Sequence, residues 1–197
     1  MMNMGCILPA IVSVPLMVAT ACGFVNPPAA HKPPDPVTAR SVAQIPDEGK
    51  VTYSVTLRPG ECHATDNSTL PDQGCTPGSV DPKVTQATIS STICAYGWTR
   101  TVRPPESQTE AAKFDVAYPA YSLSGKSELD HLIPLELGGS NDITNLWPEL
   151  GRIPNPKDSV EDQLRKDVCD GMVSLVAAQD AIARDWRTAE TVVMKGK

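Results

Sequence analysis

The chain has 197 residues, with 17 Lys+Arg against 23 Asp+Glu, a formal net charge of −6 and a pI near 5.0. That balance excludes a generally basic nucleic-acid coat, whose phosphate binding rests on clustered Lys and Arg, so any nucleic-acid chemistry must be local. With 41% hydrophobic residues, 19 Pro and 13 Gly, the composition excludes a low-complexity chain and fits one loop-rich globular domain with appendages.

Residues 1–21 read as an export signal. Met1 to His31 carries no Lys, Arg, Asp or Glu, and Ile7 to Val25 is mostly apolar, broken by Pro9 and Pro15. The closing Ala19-Thr20-Ala21-Cys22-Gly23 resembles a bacterial lipobox, in which Cys22 is lipidated and becomes the first mature residue. Ala19 stands where Leu is usual and a basic n-region is missing, which leaves a cleaved secretory signal without lipid, or an uncleaved anchor, as the alternatives. The expected location is exported, either lipid-anchored at the cell membrane or secreted. Residues 22–48 are Pro-rich and read as a tether, with His31 solvated; residues 49–197 form the domain.

Four cysteines lie in that domain: Cys62, Cys75, Cys94 and Cys169. An even count in an exported chain implies two disulfides with three pairings open. The short polar loop His63 to Gly74 favours Cys62 with Cys75, leaving Cys94 to tie the front of the domain to Cys169 at its back. Zinc is disfavoured because no C-x-x-C occurs and the chain has only three His. His63 reads as an exposed loop residue.

Within the domain, Val51 to Leu57 alternates apolar and polar residues, the period of a half-buried strand. Asp81-Pro82 predicts a helix from Pro82 to about Ile93, and Thr109 to Ala117 a second, stopped at Tyr118-Pro119. Trp98 between Arg100 and Arg103 reads as a buried ring flanked by solvated cations. Val160, Leu164 and Val168 predict a helix from Asp158 or Ser159 to a Gly171 stop. Leu175, Ala178, Ile182 and Trp186 predict another behind a Ser174 cap.

The chemistry-bearing stretch is Glu128 to Pro148: a short apolar strand with adjacent Asp130 and His131, a Gly138-Gly139 turn, a second extended piece near Asn145, then a helix near Pro156. Neighbours on a strand point to opposite faces, so Asp130 and His131 can serve one site only where the strand ends, and Ile133-Pro134 supplies that end. The run D-H-x-x-P-L, then G-G-S-N-D and N-L, with His131 and Asn145 fourteen residues apart, resembles the HNH (His-Me finger) nuclease motif. The wider pattern is similar to small exported actinobacterial HNH endonuclease-like proteins.

The resemblance implies an α+β fold with a ββα-metal core, its motif at residues 128–170, plus further helices and a short N-terminal strand region, braced by the two disulfides. It implies an exported metal-dependent endonuclease that hydrolyses phosphodiester bonds with one divalent cation, Mg²⁺ ahead of Mn²⁺ or Zn²⁺. Asp130 would bind the metal, and His131 would deprotonate the attacking water. Asn145 would bind the metal or brace the histidine loop. Asn155 or Asp158 would complete the shell, although no His stands at that third position. A positioned base is typically worth ~10²–10⁴ in rate, and a hard cation suits a carboxylate, an amide oxygen and waters. DNA is the expected partner ahead of RNA, held weakly by Arg100, Arg103, Lys113, Lys126, Arg152 and Lys157. From Ser122 onward the chain carries 9 Lys+Arg against 13 Asp+Glu, which argues against tight nucleic-acid binding. The alternative is a catalytically inactive, disulfide-braced surface lipoprotein using the same scaffold for binding.

Overall fold

The computed structural model describes residues 42–123, 126–151 and 153–196; the leader, the tether up to residue 41 with Cys22 and His31, and Arg152 lie outside the described residues. The described chain is mixed α+β with two small sheets. In the first, β1 (Ala43–Gln44) runs parallel to β2 (Ser79–Val80), with Ala43 opposite Ser79. Residues assigned to the tether therefore join the domain, and Asp47 is buried.

Val51 to Leu57 does not form the expected strand. Thr52 makes a single bridge to Asp142, and Tyr53 and Val55 are exposed. The polar positions set the path instead. Thr52 Oγ1, Ser54 N and Ser54 Oγ all donate to the Asp142 carboxylate at 2.6–2.9 Å, which pins the segment to the motif loop. Nor do residues 82–93 form a continuous helix: only Ile89–Ser91 makes a 3₁₀ turn. Thr88 Oγ1 accepts from Thr85 N and donates to Lys83 O, each at 2.8 Å, so side-chain bonds compete with the helical ladder.

The helical region after α1 (Trp98–Val102) starts earlier and ends later than the pattern predicts. It comprises α2 (Glu106–Ala111), a π-helical stretch Ala112–Ala117 and α3 (Tyr118–Tyr121). Pro119 has no N–H to donate, and it is accommodated at the change of register into α3. Arg100 and Arg103 are exposed, as expected, while Trp98 packs against the core but is only partly buried.

The second sheet pairs β3 (Ser127–His131) antiparallel with β4 (Leu146–Leu150), placing Asp130 opposite Trp147 and His131 opposite Leu146. Then follow α4 (Pro156–Cys169), α5 (Leu175–Asp185) and a third C-terminal helix not foreseen, α6 (Ala189–Lys195). Asn155 and Asp158 form a capping box at the start of α4 with Pro156 at the first position, and Ser174 Oγ caps α5 through Ala177 N. Leu164, Val168, Leu175 and Ile182 bury against Leu132, Ile133, Leu137 and Trp147, so the helices form the back wall of the motif.

Cys62 is bonded to Cys75 and Cys94 to Cys169, the favoured pairing. Disulfides fit an oxidising, exported setting. Among the described residues no helix is long and apolar enough to cross a membrane.

Candidate active site

Between β3 and β4 the chain must turn within a crowded space, and the two glycines make this feasible. Gly138 has φ +75°, and a Cβ there would lie 2.6 Å from Val84 Cγ1; a Cβ on Gly139 would lie 1.7 Å from Ile133 O. The close approach lets Asn145 span the loop. Its Oδ1 accepts from Ile133 N at 3.0 Å and Ser79 N at 3.3 Å, and its Nδ2 donates to Ile133 O and Ser140 O, both at 2.9 Å. Every lone pair and proton of that amide is used, three times by the loop and once by Ser79 of β2. Asn145 is thus a brace for the segment after His131.

His131 ends β3 and is only 8% exposed, yet it lines a cleft of about 460 Å³ together with Arg103, Glu110, Lys113 and Glu128. Its Nε2 lies 2.7 Å from Asn141 Oδ1. The Asn141 Nδ2 donates to both Asp47 oxygens, at 2.8 and 2.7 Å, and to Val102 O at 2.7 Å, so its oxygen faces the ring. An amide oxygen only accepts, so Nε2 carries the proton and Nδ1 keeps the lone pair. Among the described residues nothing hydrogen-bonds Nδ1. Burial lowers the imidazole pKa to about 4, and Arg103 and Lys157 push the same way, so the ring is neutral at physiological pH.

Asp130 lines, with His131, Arg103, Asp158 and Glu161, a second cavity of about 160 Å³. Its Oδ2 accepts from Lys157 Nζ at 2.8 Å, and the same ammonium donates to His131 O at 2.8 Å and to Glu161 Oε1. Lys157 is fully buried at the second position of α4. This corrects its expected place on a basic surface strip. The neighbouring carboxylates raise its pKa despite burial and keep it charged. Removing one partner of such a buried pair typically costs about 3–5 kcal/mol.

The other expected ligands on α4 are hydrogen-bonded at the start of that helix. Asn155 Oδ1 accepts from Lys157 N at 2.8 Å, and its Nδ2 bridges Glu128 and Glu149 at 2.5 and 3.0 Å; Asp158 Oδ2 accepts from Asn155 N at 3.1 Å. Burial and neighbouring negative charge, Asp130 foremost, push Glu149 up to about 8; burial above all pushes Glu161 up to about 7. Among the described residues no three His, Cys, Asp or Glu converge as a metal-ligating group. As placed, Asp130, Asn145, Asn155 and Asp158 do not form the divalent-ion shell that the motif implies: the Lys157 ammonium binds Asp130 through Oδ2, the Asn145 and Asn155 amide oxygens accept backbone N–H groups, and Asp158 caps α4.

Of the expected nucleic-acid contacts, Arg103 reaches the His131 cleft. Arg100 lines a separate cavity with Tyr96, and Lys126 is exposed beside the start of β3. Lys113 donates to Ser127 O at the cleft wall. His63 is exposed, as expected. Sequence reasoning missed Asn141 and Asp47. Asn141 sits inside the G-G-S-N-D run, but nothing local announces that it faces His131, and Asp47 lies in the assigned tether. The i,i+4 spacing of Lys157 and Glu161 was the available signal for their pairing.

The sequence matches no protein-family model, no curated protein and no solved structure.

Proposed function

We propose that this chain is an exported HNH-type endonuclease whose general base is His131. The observation that carries the reading is a neutral imidazole, fixed in one tautomer, in the wall of an open cleft beside Arg103. The strand–loop–strand–helix order and the brace supplied by Asn145 support it. In the reaction, Nδ1 takes a proton from water, and the hydroxide adds to phosphorus as the bond to the leaving nucleotide oxygen breaks. That oxygen takes a proton from solvent, and His131 returns its own. Arg103 offers its charge to the phosphate. The disulfides and the charge-free leader support export, with Cys22 as the proposed lipid attachment point.

Supercoiled-plasmid nicking by wild type and His131→Ala, in chelator and with Mg²⁺ or Mn²⁺, tests the reading. A loss of about 10²–10⁴-fold in His131→Ala is expected; nicking that survives the substitution defeats it. The engagement of all four expected ligands favours one other reading, an inactive disulfide-braced binding module, which predicts no nicking under any condition.

A further inference from the structure

Lys157 is placed where a lysine is costly. It sits in the first turn of α4, where the helix dipole disfavours a cation, and it is fully buried. A long flexible ammonium in that position persists only if its surroundings require positive charge. Those surroundings are acidic: Asp130 and Glu161 bond it directly, and Glu128, Glu149 and Asp158 stand close enough for their charges to act on one another. The three N–H donors meet three oxygens, from Asp130, Glu161 and the His131 carbonyl, so the head group is fully satisfied and has no donor left for substrate.

We propose that Lys157 is a tethered substitute for the divalent cation: its ammonium fills an oxygen cage formed by Asp130, Glu161 and the carbonyl of His131, so the intact protein needs no divalent ion. The amine binds the back of the residue that carries the base and fixes the end of β3. It is a positioning residue, since it reaches His131 through the carbonyl and makes no contact with the cleft. The naming of this cage as the cation position rests on the HNH reading, but the cage itself and its occupant do not.

A lysine truncated at the β-carbon would leave two carboxylates and a carbonyl around a space open to solvent cations, a hard-oxygen set of the kind that Ca²⁺ and Mn²⁺ accept. The test compares wild type, Lys157→Ala and Lys157→Met in the full chain by thermal unfolding and by calorimetric titration with Mn²⁺ and Ca²⁺. Wild type is expected to unfold at one temperature in chelator and in either cation, with no bound ion detected. Lys157→Ala is expected to be less stable in chelator and to regain roughly 5–10 °C at a hundredfold excess over the dissociation constant, with one ion bound. Lys157→Met, whose side chain fills the cage without charge, is expected to be destabilised and to gain nothing from the cations.

One-site binding of either ion by wild type, with a matching rise in its unfolding temperature, overturns the proposal. So does a Lys157→Ala protein that binds neither ion. If Lys157→Ala folds only when Mn²⁺ or Ca²⁺ is present, the proposal stands; if neither ion recovers it, the cage is not a cation site. Failure of the nuclease reading would instead appear as nicking unaffected by His131→Ala, a result independent of these titrations.

Discussion

Asp47 and Asn141 stand 94 residues apart, and both Asp47 carboxylate oxygens accept from the single Asn141 Nδ2. The contact decides the state of a third residue. With its NH₂ held by Asp47 and Val102, Asn141 can show His131 only its oxygen, and the ring keeps its proton on Nε2. Asn141→Ala should therefore lower the turnover number for nicking by at least about tenfold, within the ~10²–10⁴ attributable to the base, with KM little changed. Imidazole ¹⁵N shifts should show His131 redistributed between tautomers. Unchanged shifts would mean that Asn141 does not set the ring.

If His131 is the base of the proposed reaction, its low pKa should place the acid limb of nicking near pH 4 instead of near 6.5, with a plateau above it, since burial keeps the ring unprotonated across the neutral range. A pH–rate profile of plasmid nicking checks this. A limb near 6.5 would show a solvated imidazole.

Stability should fall between pH 6.5 and 8. The carboxyls of Glu149 and Glu161 titrate higher folded than unfolded, so their contribution is fully present below about pH 4.5 and is lost as pH rises through about 7 and 8. His131 acts oppositely, but only between about pH 4 and 6.5, and so is silent in this window. At about 1.4 kcal/mol per pH unit for each proton, Glu149 alone should cost roughly 2 kcal/mol between pH 6.5 and 8. Urea midpoints across that range measure it. Glu149→Gln keeps an acceptor for Asn155 Nδ2 and should flatten the slope.

Gly139→Ala should destabilise the protein by about 3 kcal/mol or more, because the added carbon meets the backbone carbonyl of Ile133, which cannot rotate away. Gly171, with φ +71° and open space around it, is the control, and Gly171→Ala should cost about 1 kcal/mol. Equal urea midpoints for the two variants would contradict the close approach.

The two disulfides should differ in worth. Cys94 and Cys169 are 75 residues apart and Cys62 and Cys75 only 13, so loop-closure entropy assigns about 4 kcal/mol to the first pair and about 3 to the second. Paired Cys→Ala substitutions followed by urea unfolding give the comparison.

The helices α4 and α5 were legible in the sequence because their apolar residues recur on one face, and the disulfide partners because a short loop joins one pair. The strand–turn–strand order around Asp130 and Asn145 was legible too. The segments at 51–57 and 82–93 misled, because hydroxyls of Thr52, Ser54 and Thr88 take backbone and carboxylate partners that no periodicity records. Lys157 looked like a surface cation because composition counts charge without position. Its burial depends on Asp130, 27 residues away, and Asp47 could be placed only once Asn141 was.

The loop from Gly139 to Asn145 is furnished largely by the amino-terminal half of the domain: Thr52 and Ser54 hold Asp142, Ser79 holds Ser140 and Asn145, and Asp47 holds Asn141. A two-stranded ribbon with one helix is marginal by itself. Residues 128–170 are therefore not a portable cassette. A graft onto another scaffold would have to bring residues 47–54 and 76–80 with it, and recombination that exchanges the motif alone would deliver a histidine with nothing to aim it.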